Sequence, residues 1–185
     1  MHPRSGMTRT GAVLIAAVLL FSCASVLPGS FRARADVASN IQKLSGWQQS
    51  FLRVISSLAL KDAYDADDGN GNHVFASITA GQALYEGGWA RYGISVIANN
   101  QYGIKAYSSW KGKVFDNKTY MVYGSYQELA SIQGAHYAKH CNLWRAYDSW
   151  DESVADHSAL FYNEKKYAAF LKAVDYKDAA RKVVE

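Results

Sequence analysis

The stretch Gln82-Ala83-Leu84-Tyr85-Glu86-Gly87-Gly88-Trp89, followed after a short interval by Ala98-Asn99-Asn100-Gln101-Tyr102-Gly103-Ile104-Lys105, decides the reading of this chain. Val74, Phe75, Ile78, Ala83 and Leu84 recur at helical spacing, so a helix is predicted from His73 or Val74 to Glu86, stopped by the two glycines. Glu86 then sits in the last turn, at the negative end of the helix dipole and next to a tryptophan. Both the dipole and desolvation disfavour its ionised form and raise its pKa. A carboxyl that keeps its proton near neutral pH while facing a cleft is suited to protonate a glycosidic oxygen.

The segments around this helix are also mostly helical. Ile41, Leu44, Phe51, Val54, Ile55 and Leu58 predict an amphipathic helix over 38–64, broken near Gly46. The polar loop Asp65 to Asn72 has the look of a calcium loop, but the order of ligands fails. Gly69 falls on a ligand position if the count starts at Asp65, and His73 replaces the required glycine if it starts at Asp68, so a solvated turn is expected. From Trp110 to Tyr126, Val114, Phe115, Thr119, Tyr120, Val122 and Tyr123 alternate between Gly112 and Gly124 in the manner of a short-stranded β-lobe. Helices are then predicted over 127–140, over 150–161 behind an Asp148-Ser149 cap, and over 165–173 and 177–184. The fold class expected is α+β, mostly helical with a small β-lobe.

Composition bounds the rest. With 185 residues, 49% hydrophobic and 14% aromatic, the chain has room for one packed domain and a leader. Arg4 and Arg9 precede an apolar run from Gly11 to Phe21, Pro28-Gly29 breaks it, and Ala33-Arg34-Ala35 offers a small-x-small cleavage site. Residues 1–35 therefore read as a secretory signal peptide, in preference to a retained anchor or lipid attachment at Cys23. The organisation expected is a leader over 1–35, an N-terminal helix and polar loop over 36–72, and a catalytic domain over 73–185. The leader carries four of the 20 basic residues and none of the 16 acidic ones, so the mature chain is near neutral. The formal charge of +4 gives no support for a nucleic-acid partner. After cleavage neither a membrane contact nor an intrachain disulfide is expected, since Cys141 is then the remaining cysteine. It reads as a small buried hydrophobe.

Four ordered motifs, the two quoted first, Trp110-Lys111-Gly112-Lys113, and Arg145-Ala146-Tyr147-Asp148-Ser149-Trp150-Asp151-Glu152-Ser153 through Asp156-His157-Ser158, resemble the glucosaminidase family of bacterial and phage autolysins, glycoside hydrolase family 73. The resemblance runs from about Trp47 to Val183. It implies a lysozyme-like fold, endo-β-N-acetylglucosaminidase activity on peptidoglycan glycan strands, and Glu86 as general acid. It also implies a secreted, wall-associated enzyme. A monomer without cofactor is expected.

The departures from the family pattern are specific. Gly87 replaces the usual Ser or Thr after the acid, Ala90 replaces a Gly, Gln101 replaces a hydrophobic residue, and Trp144 replaces the Phe before the arginine. The family often carries a second acid in the β-lobe, but after Thr119 this chain reads Tyr120-Met121, and Asp116 and Glu128 are the nearest carboxylates. The family's closing Gly-Tyr-Ala-Thr-Asp-Pro-like segment would begin where the sequence reaches Glu185. A two-carboxylate glycosidase needs a base or nucleophile opposite its acid; without one, the 2-acetamido group of the substrate can attack instead.

Trp89, Tyr102, Trp110 and Tyr147 are the candidate sugar platforms, since an aromatic face buries the apolar face of a pyranose at low entropy cost. Trp150 reads as core. Asn99 and Asn100 either hydrogen-bond the acetamido group or serve the turn before Tyr102-Gly103. Lys105 and Arg145 could meet peptide or lactyl carboxylates, with a salt bridge from Arg145 to Asp148 or Asp151 as the plainer role. His136 and His140 share a helical face, but no third ligand follows at zinc spacing, so no metal is expected. His157 is expected to form a buried hydrogen bond. The alternatives to the hydrolase are a non-catalytic peptidoglycan-binding module on the same fold and a muramidase or lytic transglycosylase.

Overall fold

The computed structural model describes residues 39–183 apart from 66–68, 70 and 92. The expected leader, Cys23 and half of the polar loop, 66–68 and 70, lie outside the described residues. The chain divides into two compact units, one formed by the segments up to Gly81 and from Glu164, the other by Gln82–Asn163.

In the first unit the chain is helical at 39–42 and again in α1 (Gly46–Asp65). The break expected near Gly46 has a local cause. Ser45 Oγ accepts from Gln48 N at 3.3 Å while Gln48 Oε1 accepts from Ser45 N at 3.0 Å, a reciprocal capping box that starts a new helix. Phe51, Leu52, Ile55 and Ala59 form the buried stripe of α1. Further buried apolar residues come from Val74 and Ile78, and from Phe170 and Ala179 on the C-terminal segment. His73 N donates to Leu171 O at 3.0 Å and joins the two segments. The C-terminal helices are shorter than expected: a 3₁₀ turn at Lys165–Tyr167, then α7 (Ala168–Leu171) and α8 (Tyr176–Lys182), the last capped by Asp175.

Helix α2 (Ala76–Glu86) ends on Glu86, as its pattern predicts, and its residues from Gln82 onward belong to the second unit. There follow a 3₁₀ turn (Gly88–Ala90), α3 (Gly93–Ile97), β1 (Lys113–Asp116), β2 (Met121–Tyr123), α4 (Tyr126–Gln133), α5 (Ala135–His140), β3 (Leu143–Ala146) and α6 (Trp150–Asn163). The helix expected over 127–140 is divided at Gly134, whose φ of 93° no helix accommodates. Neither α3 nor β3 is expected from the sequence pattern. The sheet is antiparallel in the order β2-β1-β3, with Val114 opposite Tyr123 on one side and Arg145 on the other. Burying β1 in the middle gives one core of Val114, Tyr123, Leu129, Ala138 and Leu143 and another of Ala98, Phe115 and Ala146. The result is the expected mostly helical α+β fold with a small β-lobe.

Candidate active site

Every site residue expected from the sequence falls in the second unit. Glu86 is exposed at the end of α2, and partial desolvation pushes its carboxyl above the usual carboxylate range. It is also unengaged: among the described residues its oxygens take no hydrogen bond or ion pair. The other acids of this unit are all in use. Asp148 pairs with Lys113, Glu152 Oε2 accepts from Asp148 N at 2.9 Å, Asp156 holds Arg145, and Asp151 is engaged as well.

The two acids considered for a second catalytic role are tied into the β-lobe. Asp116 is fully buried at the end of β1. It accepts from Lys118 N at 2.9 Å, Thr119 Oγ1 at 2.9 Å and Tyr137 Oη at 2.7 Å, and so fixes the β1–β2 turn. Burial works to raise its pKa, but these bonds together outweigh burial and hold the carboxyl below its usual range. Glu128 reaches back from the first turn of α4 to Gly124 N, while its own N–H donates to Ser125 Oγ at 3.0 Å. That is helix capping.

Glu86 leads directly into an unusual turn. Gly88, Trp89 and Ala90 have φ of 55°, 64° and 51°, three consecutive left-handed residues of which two carry a β-carbon. Beneath it, Ser95 Oγ donates to Gly87 O at 3.2 Å, Gln101 Nε2 to Ser95 O at 3.0 Å, and Gln101 N to Ser153 Oγ at 3.1 Å. Gln101 is fully buried. These contacts bind the turn after the acid to the Asn99–Gly103 loop and to α6. Sequence reasoning passes over Ser95 and Ser153. For Gln101 there is a signal, a long amide where an apolar residue is expected.

The asparagines take up the turn role. Asn100, fully buried, donates from Nδ2 to Ile104 O at 2.9 Å and Arg145 O at 2.8 Å and accepts from Ile104 N at 3.0 Å. Asn99, at φ 52°, donates to Tyr147 O at 3.0 Å. Tyr102 is buried and stacks on His157 with ring centroids 3.8 Å apart. His157 makes the expected buried bond, Nε2 to Gln82 Oε1 at 3.0 Å, and burial pushes its pKa down to about 3. It is neutral at every pH the fold meets near neutrality.

Trp110 and Tyr147 come together. They line a pocket of 460 Å³ that also has Lys113, Asp148, Glu152 and Asp156 in its wall, and their rings meet edge-on at 6.1 Å. Trp110 is held by its Nε1–H to Lys113 O at 2.9 Å, and a β-carbon on Gly112 would lie 2.5 Å from its indole, which is why glycine stands there. Arg145 stacks on Trp110 at 4.4 Å. Its ion pair is with Asp156, Nη1 lying 2.7 Å from both carboxylate oxygens, rather than with Asp148 or Asp151 as expected. The reason is register: β3 aims Arg145 at α6, where Asp156 also accepts from Tyr147 Oη at 2.5 Å. Glu86 and Trp89 are not part of this wall.

Among the described residues no group of three or more His, Cys, Asp or Glu is placed to hold a metal ion. The rings of His136 and His140 stand 4.4 Å apart on α5. No described helix is long and apolar enough to cross a membrane.

The family described as Glucosaminidase, mannosyl-glycoprotein endo-beta-N-acetylglucosaminidase, matches residues 61–185. The chain belongs to this family. Exo-glucosaminidase LytG of Bacillus subtilis is 32% identical over 113 residues, which are 58% of this chain and 36% of LytG, so the chain spans little more than a third of that relative. The glycoside hydrolase domain of Salmonella typhimurium FlgJ superposes with a TM-score of 0.51 at 21% identity, covering 74% of each chain. The catalytic domain of the autolysin Auto from Listeria monocytogenes does so with a TM-score of 0.50 at 19% identity, covering 86% of this chain and 85% of that one. The fold is the lysozyme-like fold of those domains.

Within this glucosaminidase domain two departures from the family pattern touch each other. A β-carbon on Gly87, where the family has Ser or Thr, would lie 2.6 Å from Gln101 O. The backbone of the atypical Gln101 occupies the space that the atypical glycine leaves open. Ala90, which replaces a glycine, sits in the left-handed region that glycine prefers.

Proposed function

We propose that this chain is a peptidoglycan hydrolase, an endo-β-N-acetylglucosaminidase that cleaves the glycan strand after N-acetylglucosamine, with Glu86 as general acid. The observation that carries this is Glu86 itself, among the described residues the one acid of its unit left unengaged, with a raised pKa, in a chain that belongs to the glucosaminidase family. A protonated carboxyl facing solvent can give its proton to the leaving oxygen. Asp116 and Glu128 act as structural acids of the β-lobe. The attacking group is then the acetamido oxygen of the substrate, which needs no second carboxylate. Trp110 and Tyr147 carry a sugar on the pocket wall, with Trp89 nearer the acid; Asn99, Asn100 and Tyr102 hold the loop that orients them.

The domain is residues 73–185, preceded by an N-terminal helix and polar loop over 36–72 and delivered by a cleaved leader over 1–35. It works as a monomer outside the cell, on the wall, with peptidoglycan as partner, and needs no cofactor, nucleic acid or membrane. Residues 36–185 and Glu86→Gln, each incubated with purified peptidoglycan, test this by mass spectrometry of the reduced products. New reducing N-acetylglucosamine ends that disappear in the variant support it, and internal fragments rather than released terminal sugars separate endo from the exo action in the name of LytG. A folded wild type that sediments with the wall and releases nothing would make the chain a binding module. New reducing N-acetylmuramic acid ends would make it a muramidase, and anhydro ends a lytic transglycosylase.

A further inference from the structure

A second cavity, of 260 Å³, opens beside β3 and shares no lining residue with the Trp110–Tyr147 pocket. Its wall includes Lys105, Lys139, Asn142, Tyr126, Ala138 and Leu143, and no carboxylate. Lys105 is fixed there: its ammonium bonds Asn142 Oδ1 and lies 3.4 Å from the centre of the Trp144 ring. Neither lysine forms an ion pair among the described residues. Burial lowers the pKa of Lys105, the mark of a cation that has lost water without gaining a counter-charge.

The partly desolvated Lys105 and the exposed Lys139 make the wall of this small cavity positive with no carboxylate to balance it, a lining that suits an anion. Ala138 and Leu143, both buried, make the floor apolar, so the anion that fits carries a small apolar substituent. The volume is below the roughly 300 Å³ at which cavities begin to take drug-sized ligands, and suits the end of a peptide better than a pair of sugar rings. We propose that this cavity binds the C-terminal carboxylate of a short peptide ending in a small apolar residue, with Lys105 and Lys139 as the anion's partners. The identity of that peptide rests on the peptidoglycan reading, since wall glycan carries peptide arms ending in alanine. The enzyme would then take glycan that still bears its peptides in preference to stripped glycan.

The test is binding to residues 36–185 followed by the amide resonances of 105–108 and 138–143, with N-acetyl-D-alanyl-D-alanine, its C-terminal amide and inorganic phosphate as probes. The free acid should saturate these shifts, with the amide bound about tenfold more weakly, as for loss of one charge-assisted contact. Lys139→Gln, at an exposed site where folding is not at risk, should weaken the acid by a similar factor, as should Lys105→Gln. No saturation, or saturation unchanged in Lys139→Gln, overturns the proposal, and phosphate bound as tightly as the peptide acid overturns its commitment to a peptide. The outcome is independent of turnover. A folded chain that binds the acid but cleaves no glycan would sink the hydrolase reading alone, and one that cleaves glycan but binds no acid would sink this inference alone.

Discussion

The carbonyl oxygen of Gln101 stands 2.6 Å from where Gly87 would carry a β-carbon, so the turn behind Glu86 is packed directly against the backbone of the next loop. Ser95 locks the pair by bonding Gly87 O and accepting from Gln101 Nε2. The end of α2 that carries Glu86 is thereby held from below by buried groups. Gly87→Ser restores the family's residue but forces Gln101 or the end of α2 to move. Overpacking of this kind costs about 1–3 kcal/mol. The expected result is a lower thermal midpoint and a fall in kcat with KM little changed, because displacement of the acid affects proton transfer more than sugar binding. A variant with wild-type kcat would show that the turn does not position Glu86.

The raised pKa of Glu86 has two consequences that run the same way with pH. With Glu86 as the proposed general acid the protonated form is needed, so activity should hold at low pH and fall as pH rises through the folded pKa, with the alkaline limb of kcat/KM above the usual glutamate range. For stability, the native state binds this proton more tightly than the unfolded chain does. The contribution is complete below the unfolded pKa and is lost as pH rises through the folded one. Glu86→Gln should therefore lose about 10²–10⁴-fold in rate while its thermal midpoint at pH 7 is no lower than wild type. A marked loss of midpoint would make Glu86 structural.

How much of the molecule is legible in the sequence depends on whether the signal is local. Glu86 and the glycines behind it form a helix end that periodicity and stop residues define, and α2 ends on that residue. The β1–β2 hairpin is likewise written in alternating residues. Strand β3 is not, because Leu143–Ala146 exists by pairing with β1, a partner distant in the chain, rather than with an adjacent hairpin strand. Without β3 the partner of Arg145 is misassigned too, since only the strand's register points it at Asp156. The short α3 between the two quoted motifs is hidden because five residues carry too little helical period, and with it Ser95, whose importance comes entirely from what folds against it.

Ala90 occupies a left-handed conformation at φ 51° where the family uses glycine. The strain in a non-glycine residue there is about 1 kcal/mol, and glycine also gives up the small apolar contact of a buried methyl. Relief of the strain outweighs the lost contact. Ala90→Gly is expected to raise stability by roughly 0.5 kcal/mol, read as a shift of the denaturation midpoint to higher urea with unchanged slope. A destabilised variant would mean that packing of the methyl outweighs the backbone.

Asp156 serves two partners at once, Arg145 and Tyr147, and both belong to the site described around Trp110. Removing the carboxylate orphans a half-buried guanidinium and a buried phenol, at a cost of about 2–4 kcal/mol. Asp156→Ala should unfold at lower temperature and raise KM, because Tyr147 and Trp110 lose their alignment. Asp156→Asn keeps an acceptor for Tyr147 and should recover part of both. If the two variants behave alike in KM, Tyr147 does not touch the glycan.

Asp116 predicts how the β-lobe fails in acid. Its folded pKa lies below the unfolded value, so the stability it contributes is present above the unfolded pKa and is lost as pH falls through the folded one. Protonation weakens the bonds from Tyr137, Thr119 and the backbone of Lys118 together, and with them the turn that places Tyr120 at φ 57°. Tyr137 responds in step, its phenol held protonated first of all by the bond to Asp116. Asp116→Asn should cost about 2–3 kcal/mol at neutral pH and flatten the loss of stability in acid below the usual aspartate pKa. With Glu86 as the proposed proton donor, the variant should keep the wild-type alkaline limb and most of kcat at temperatures where it is folded. A loss of kcat comparable to that of Glu86→Gln in a folded variant would return Asp116 to the catalytic pair and remove the case for attack by the acetamido group.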